Sequence, residues 1–424
     1  MPLDRRAVAA FLLFVVGLVF IGVFLSGTTA GVPEIAGPNI RAEFLIFVIT
    51  LLGVALLHHH TLHVALVGLA ATLCLKFGFD DHFHFVEHIN HEWKILINLF
   101  GLLIGFGVLA KHFEDTNIPA LIPRYLPNDW RGGFMLLLFV FILSSFLDNI
   151  AAAMIGGTIA KEVYKDRNTG ISRVYIGYLA AIVAASNAGG SGSVVGDTTT
   201  TMMWIAGVPA VEVLCAYVAA IPAFACFAVV CSIKQQAFWP IQKDEVNHHQ
   251  VDLGRLAVVA LILIGAIVAN VVLDFPAVGV WLAILIGWGF YKMPWEEIRH
   301  GLGNSIFLLA LVTCASLMPV DQLPKPSVLT TFNLGLISSV FDNIPLTKLA
   351  LDQGGYIAAL LAFAVGFGGS ITWFGSSAGV ALANLFPQGK SVIAWVYHGW
   401  PIVIGYVVGF WTLHLFLTIL NHVV

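Results

Sequence analysis

The stretch SSFLDNI at residues 144–150 recurs as SSVFDNI at 338–344, and GGSGSVVG at 189–196 recurs as GGSITWFG at 368–375. Two motifs, S-S-x-x-D-N-I and G-G-S-x-x-x-x-G, are thus repeated in the same order in each half of the chain. All four copies lie within long apolar stretches, where an ionisable Asp and helix-breaking glycines are costly and usually functional. The repetition predicts a duplicated membrane protein with its functional residues at two pairs of breaks.

The composition indicates a polytopic, all-α membrane protein. Of 424 residues, 59% are hydrophobic and 10% are charged, with a mean hydropathy of +0.91 and a net charge of −4, whereas soluble domains carry about 25% charged residues. A spanning helix needs roughly 20 apolar residues. The candidate spans and interrupted spans are 7–26, 43–57, 62–77, 95–111, 133–160, 172–206, 211–233, 254–273, 277–291, 301–318, 328–351, 355–386 and 391–418.

The first 25 residues combine a basic start with an apolar run, which fits a signal peptide or a first span. The run at 7–25 is long for a signal core, so we expect a span. Five cysteines lie apart in apolar surroundings without C-x-x-C spacing, and we expect packing residues, not disulfides or zinc ligands. They are Cys74, Cys215, Cys226, Cys231 and Cys314.

The repeat predicts an inverted architecture if 133–160 and 328–351 are re-entrant hairpins that turn at their Asp-Asn pairs. Each half then makes five net crossings, and an odd number inverts the second half relative to the first. The predicted units are an extra helix and outer loop at 1–42, repeat one at 43–233, an inner linker at 234–253 and repeat two at 254–424. With the N-terminus inside, fifteen of the twenty Lys and Arg residues fall inside, as the positive-inside rule requires. We therefore expect about eleven crossings and an outside C-terminus.

The repeated breaks carry oxygen atoms suited to a small hard cation, because unwound backbone and carboxylates at a break must face protein or water. Two such clusters predict two quasi-symmetric sites. The alternative is that these side chains only cap half-helices. The candidate ion- or substrate-binding residues are Asp148, Asn149, Ser186, Asn187, Gly190, Ser191, Asp197, Thr198, Asp342, Asn343, Lys348, Ser370, Ser376 and Ser377, and Asp148, Asn149, Asp197 and Asp342 are the candidate sodium ligands.

Asp197 gives the first half a second acidic residue where the second half has Ser376. Exposed N–H groups at a helix start favour an ionised carboxylate, whereas burial favours the protonated form. A carboxylate balanced between these effects can exchange a proton for a cation. The alternative is an ordinary N-cap for the TTTT turn at 198–201.

Lys348 lies six residues after Asp342, within the same hairpin. Its ammonium can neutralise Asp342 in place of a cation, or bind a substrate anion. The alternative is a side chain that snorkels to the outer surface.

Histidines form two groups, one on the predicted inner face and one on the predicted outer loop, so we do not expect a single site. The outer group, with its acidic neighbours, predicts zinc binding or pH sensing, or simply a solvated polar loop. The residues are His58, His59, His60 and His63 inside, and Asp80, Asp81, His82, His84, Glu87, His88, His91 and Glu92 outside.

Four strings resemble the NhaD-type sodium/proton antiporters of the ion transporter superfamily, which also includes arsenite permeases, citrate carriers and sodium-coupled dicarboxylate transporters. They are LDNIAAAMIGG (147–157), SNAGGSGSVVGDTTTTMMWI (186–205), FDNIPLTKLAL (341–351) and GGSITWFGSSAGVALA (368–383). The resemblance covers most of 95–390.

The resemblance implies two inverted repeats, hairpin tips that meet near the midplane, and a mobile transport unit that moves against a scaffold. It also implies a homodimer in the bacterial inner membrane, and ion binding by Asp148, Asn149, Asn187, Asp197, Asp342 and Asn343. Lys348 departs from the family pattern.

Two functions follow as expectations. The first is a secondary antiporter that exchanges sodium or lithium for protons through carboxylates that hold either ion, with no cofactor. The alternative is sodium-coupled transport of a carboxylate or inorganic anion held by half-helix N-termini, Thr198 to Thr201 and Lys348. A non-transporting scaffold or a channel is a third class. The sequence has no glycine-rich phosphate loop, HExxH helix or serine nucleophile pattern that would indicate an enzyme.

Overall fold

The computed structural model describes residues 34–35, 40–57, 60–242 and 250–423. The expected first span, His58, His59 and part of the inner linker lie outside these residues. A two-residue antiparallel pair precedes the helices, with Glu34 opposite Arg41. The helices are α1 (Ala42–Leu56), α2 (Thr61–Phe79), α3 (Phe85–Glu114), α4 (Ile118–Tyr125), α5 (Trp130–Leu143), α6 (Asn149–Val163), α7 (Ile176–Ser191), α8 (Thr198–Ile205), α9 (Ala210–Leu214), α10 (Tyr217–Phe238), α11 (Leu253–Leu273), α12 (Pro276–Trp288), α13 (Trp295–Ser316), α14 (Val328–Ser338), α15 (Asn343–Gln353), α16 (Ala358–Gly368), α17 (Ser377–Leu385), α18 (Val392–His398) and α19 (Trp400–Val423), with 3-10 turns at Val320–Gln322 and Pro387–Lys390.

Long apolar helices make the chain an integral membrane protein. Six helical segments within the described residues are long and apolar enough to cross a bilayer. Several shorter apolar helices accompany them, among them α5, α14 and α16. The six segments are Thr61–Phe79, Phe85–Glu114, Ala210–Phe238, Leu253–Leu273, Trp295–Ser316 and Trp400–Leu420.

The helices pack in two groups. In the first group, α1 packs on α2, α2 and α3 pack on α13, and α11 and α12 pack on each other and on α3. In the second group, α5, α6, α10 and α16 surround α7, while α14 and α19 pack on α16. The contacts between α13 and α15 and between α3 and α8 join the groups. We call the first group the outer bundle and the second the central bundle.

Both predicted breaks are present in the central bundle. Helix α7 ends at Ser191 and the chain resumes as α8 at Thr198, while α16 ends at Gly368 and resumes as α17 at Ser377. The flanking hairpin arms are short: α14 and α15 have 11 residues each, which at 1.5 Å per residue gives about 16 Å. Such an arm covers about half of a hydrocarbon core of roughly 30 Å, as a re-entrant hairpin requires.

Helix α3 differs most from the sequence prediction. The sequence predicts a start near residue 95, after a polar outer loop, but the helix begins at Phe85 and has 30 residues. His88, His91 and Glu92 are therefore helical, and the prediction that they lie on a loop is wrong. The helix accommodates these polar residues because its first turns face a cavity and Lys348, both described below.

Glycines allow the backbone of each broken helix to contact the backbone of the neighbouring hairpin directly. A Cβ at Gly189 would lie 1.9 Å from the carbonyl oxygen of Phe141, and one at Gly368 would lie 2.1 Å from that of Gly335. Phe141 and Gly335 stand seven residues before Asp148 and Asp342 respectively, so the same close approach occurs in each half.

We expect Gly189→Ala to prevent correct folding, because its methyl group would meet backbone that cannot move without separating α7 from α5. Gly107→Ala on α3 is the matched control, since a Cβ there meets nothing within 4 Å and alanine favours a helix. Size-exclusion chromatography of the two purified variants measures the difference. A monodisperse Gly189→Ala with wild-type yield would contradict the close approach.

Candidate functional site

The hairpin-tip aspartates are helix N-caps. The Asp148 carboxylate accepts a hydrogen bond from the Ile150 amide at 3.1 Å, and Asp342 accepts one from the Ile344 amide at 3.0 Å. An Asp at this position satisfies one of the free N–H groups of the first helical turn and adds a favourable charge to the helix dipole. The capping alternative is thus part of the arrangement in both halves.

Each hairpin tip is also tied to the broken helix of its own half. Thr198 Oγ1 lies 3.4 Å from the second carboxylate oxygen of Asp148, and Ser377 Oγ lies 3.1 Å from that of Asp342. Thr198 and Ser377 occupy the same position after the two glycine motifs. The two halves therefore use the same contact to hold the hairpin against the break.

Asp197 caps α8 with only one of its oxygens. Its Oδ1 accepts from the Thr199 amide at 3.0 Å, whereas its Oδ2 is buried and has no hydrogen-bond partner among the described residues. The residue is 1% exposed, and Asp148 and Asp342 lie close enough for their charges to act on it. A buried carboxylate oxygen without a partner is costly, which marks this oxygen as the place where a proton or a cation is needed.

Asn187 joins the two halves. Its carbonyl oxygen accepts from Asn149 Nδ2 at 3.1 Å, and its amide nitrogen donates to Ser370 Oγ at 2.9 Å and to Ser376 Oγ at 3.3 Å. Asn187, Ser370 and Ser376 are all fully buried. Four predicted site residues, Asn149, Asn187, Ser370 and Ser376, are thereby brought together where α7 packs on α16.

Burial differs among the three aspartates. Asp148 and Asp342 are only partly buried, while Asp197 is enclosed. Each tip aspartate keeps some exposed surface although its carboxyl group lies deep among protein atoms. Asp197 is the enclosed acid, and the tip aspartates lie nearer to solvent.

The threonine turn satisfies the carbonyl groups freed by the first break. Thr200 Oγ1 donates to the Ser193 carbonyl at 2.5 Å, and Thr201 Oγ1 donates to the Val194 carbonyl at 2.9 Å. Two of the four threonine hydroxyls are thus engaged with backbone oxygens. This arrangement weakens the expectation that Thr198 to Thr201 hold an anion.

Three further candidates have local roles. Ser186 Oγ and Ser191 Oγ donate to carbonyls of their own helix, those of Val183 and Ala188. A Cβ added at Gly190 would lie only 3.0 Å from the Cβ of Asp197. Gly190 therefore shapes the site by allowing Asp197 to approach α7.

Lys348 is paired with two carboxylates. Its ammonium lies 2.8 Å from Glu92 Oε2 and 2.6 Å from Asp352 Oδ1, and the side chain is 2% exposed. Snorkelling to the surface is therefore wrong for this residue. Its ammonium is paired with Glu92 and Asp352 and not with Asp342 among the described residues, and a role in binding an anion stays a prediction.

A cavity of about 760 Å³ adjoins this ion-paired cluster. Its lining includes Glu92, Lys348, Asp352, His88 and His91, together with Met202 and Met203 of α8. Helix α8 thus reaches from Asp197 at its start to the cavity at its end. His88 Nε2 on α3 and Ser316 Oγ on α13 are 3.0 Å apart, so this histidine contributes to packing within the outer bundle. Within the described part of the chain, no three His, Cys, Asp or Glu side chains are grouped to hold a metal ion.

Sequence reasoning gives Asp352 and Gly366 no predicted role, and it places Glu92 only in the outer polar group considered for zinc binding or pH sensing. Glu92 was assigned to a loop, and Asp352 received no role although an i, i+4 spacing from Lys348 could have indicated a pair. Gly366 stands where the first half has Asn187, a difference that aligning the two motifs could have shown.

Comparisons with known proteins agree with the resemblance. No family model matches the chain. Sodium/proton antiporter 1 of Arabidopsis thaliana is 25% identical over 349 residues, which cover 71% of this chain and 58% of that protein. The Na(+)/H(+) antiporter NhaD of Vibrio parahaemolyticus is 26% identical over 312 residues, covering 60% and 72%, and that of Vibrio cholerae is 26% identical over 348 residues, covering 69% and 70%.

The aligned region thus spans a little over half of the plant protein and about seven tenths of each Vibrio protein. Identity near one quarter is modest, but the matches cover 60–71% of this chain. The helical membrane chain is thus similar, at about a quarter identity, to proteins named as sodium/proton antiporters, including two NhaD proteins.

Proposed function

We propose that the protein is a secondary transporter that exchanges sodium or lithium ions for protons. The observation that carries the proposal is the enclosed Asp197 carboxylate, whose Oδ2 has no hydrogen-bond partner among the residues that the structure describes. None of the ion pairs formed among the described residues involves Asp148, Asp197 or Asp342, and Lys348 is engaged by Glu92 and Asp352. An acidic cluster without a resident cation has to take up a proton or a metal cation to be stable in a membrane.

The proposed mechanism is competition for Asp197. A bound cation and a bound proton each neutralise the carboxylate, so the two cannot be held together. Amide and hydroxyl oxygens at the break are ligands of the hard type that sodium prefers. If the cluster crosses the bilayer only when neutral, because a bare charge is costly there, each inward proton is matched by an outward cation.

The proposal extends to architecture. The matching ties of Thr198 to Asp148 and of Ser377 to Asp342 support a duplication of 43–233 in 254–424. We propose that the repeats are inverted, that the hairpins are re-entrant, and that the protein acts as a homodimer in a bacterial inner membrane with its N-terminus inside.

Proteoliposomes with an internal pH dye test the exchange. We expect external sodium to drive proton movement without any added anion, and the apparent affinity for sodium to fall as the pH is lowered, because protons occupy the same carboxylate. Potassium at equal ionic strength is the control. A requirement for citrate, a dicarboxylate or arsenite would instead support the symport alternative and overturn the antiport proposal.

A further inference from the structure

The two glycine motifs align without gaps, which pairs each position of one break with a position of the other. Asn187 is paired with Gly366, Ser191 with Ser370, and Asp197 with Ser376. The amide of Asn187 thus corresponds to the missing side chain of Gly366, and the carboxylate of Asp197 corresponds to the hydroxyl of Ser376.

The contacts at the crossing follow the same pairing with the halves exchanged. Asn187 donates to Ser370 and Ser376 of the second half. A Cβ at Gly366 would lie 3.3 Å from Asp197 Oδ2 and 3.8 Å from the Cβ of Ser191, both of the first half. Gly366 therefore faces Asp197 as Asn187 faces Ser376.

The missing side chain at Gly366 explains which polar atoms lack partners. Asp197 Oδ2 and Thr199 Oγ1 are buried without a hydrogen-bond partner among the described residues, and the Cβ position of Gly366 is 3.3 Å from the first and 3.7 Å from the second. Asn343 Nδ2 is also unpartnered, whereas its counterpart Asn149 Nδ2 donates to Asn187. Gly366 has no side-chain amide oxygen that could accept from Asn343 as Asn187 Oδ1 accepts from Asn149.

Charge follows the same asymmetry. On one side of the crossing a neutral amide meets a neutral hydroxyl, and every hydrogen bond is made within the protein. On the other side the Asp197 carboxylate faces Gly366, which has no side chain, and Asp197 Oδ2 has no hydrogen-bond partner among the described residues. Buried polar groups without partners are costly, so an occupant that satisfies them is favoured on this side only.

We propose that the transported cation binds in the notch at Gly366, with Asp197 Oδ2 and Thr199 Oγ1 as ligands, while the Asn187 amide fills the equivalent position on the other side. This inference rests on the proposed function and deepens it. It replaces two quasi-symmetric sites by one cation per protomer. Asn187 acts as a built-in substitute for the second cation.

Sodium binding to purified protein tests the notch, measured by calorimetry and by sodium-induced thermal stabilisation. We expect one sodium per protomer in the wild type. Gly366→Asn transplants the amide that the other side already accommodates, and we expect at least a tenfold loss of sodium affinity. Gly303→Asn on α13 is the matched control, because a Cβ there meets nothing within 4 Å, and it should bind sodium as the wild type does.

If Gly366→Asn does not fold, Gly366→Ala is used in its place. Its methyl group would lie against Asp197 Oδ2 and should also weaken sodium binding. Wild-type affinity in a folded Gly366→Asn or Gly366→Ala, or two equivalent sodium ions per protomer, would overturn the notch and leave antiport standing. Absence of any sodium binding or exchange in the wild type would instead overturn the proposed function together with the notch.

Discussion

Replacing Asp197 by asparagine is expected to reduce sodium/proton exchange to the background of empty liposomes while the protein stays folded. Asparagine is as good an N-cap as aspartate, and its Oδ1 can still accept the bond from the Thr199 amide. The substitution therefore removes the charge but keeps the cap. The asparagine amide cannot take up a proton and offers no negative charge to a cation, so position 197 can no longer exchange one for the other.

Asp129→Asn provides the matched control for this experiment. Asp129 caps α5 by accepting from the Arg131 amide at 3.0 Å, but it is exposed and lies at the start of the hairpin, far along the chain from its tip. We expect wild-type exchange in proteoliposomes for Asp129→Asn and none for Asp197→Asn at equal amounts of reconstituted protein. Equal exchange in the two variants would show that Asp197 is not the coupling carboxylate.

The positions of the breaks could be predicted from sequence because local chemistry determines them. An Asp-Asn pair followed by apolar residues is a helix start, and paired glycines end a helix where another backbone approaches. These rules placed Asp148, Asp342 and both glycine motifs correctly along the chain. The same rules could not separate a capping role from a binding role for Asp197. Its Oδ1 accepts from the Thr199 amide, while its Oδ2 has no partner among the described residues.

The partner of Lys348 could not be predicted, because Glu92 lies 256 residues away in sequence. A run of His, Asp and Glu before an apolar helix reads as a solvated loop, and only tertiary packing shows that Glu92 faces an ammonium. The different burial of Asp148 and Asp197 has a similar origin. Both are N-caps in apolar surroundings, and the crossing of α7 with α16 encloses one of them.

The Glu92–Lys348–Asp352 cluster joins the outer bundle to the second hairpin. Glu92 lies on α3, while Lys348 and Asp352 lie one turn apart on α15. The side chains of Lys348 and Glu92 are 2% and 5% exposed, whereas that of Asp352 is 24% exposed. Removal of the ammonium therefore leaves one nearly dry carboxylate without compensation and a second that water can still reach.

We expect Lys348→Met to lower the free energy of unfolding by about 3–5 kcal/mol, because it leaves the buried Glu92 charge unpaired. Thermal unfolding of the purified protein in detergent measures the loss. The double variant Glu92→Gln with Lys348→Met should recover most of it, since no buried charge is then left alone. Lys94→Met is the control: it breaks an exposed ion pair with Asp274 and should cost less than about 1 kcal/mol. Equal melting temperatures for Lys348→Met and Lys94→Met would contradict this prediction. So would a double variant that is less stable than Lys348→Met alone. Either result would show that the Lys348 ammonium does not hold α3 against α15.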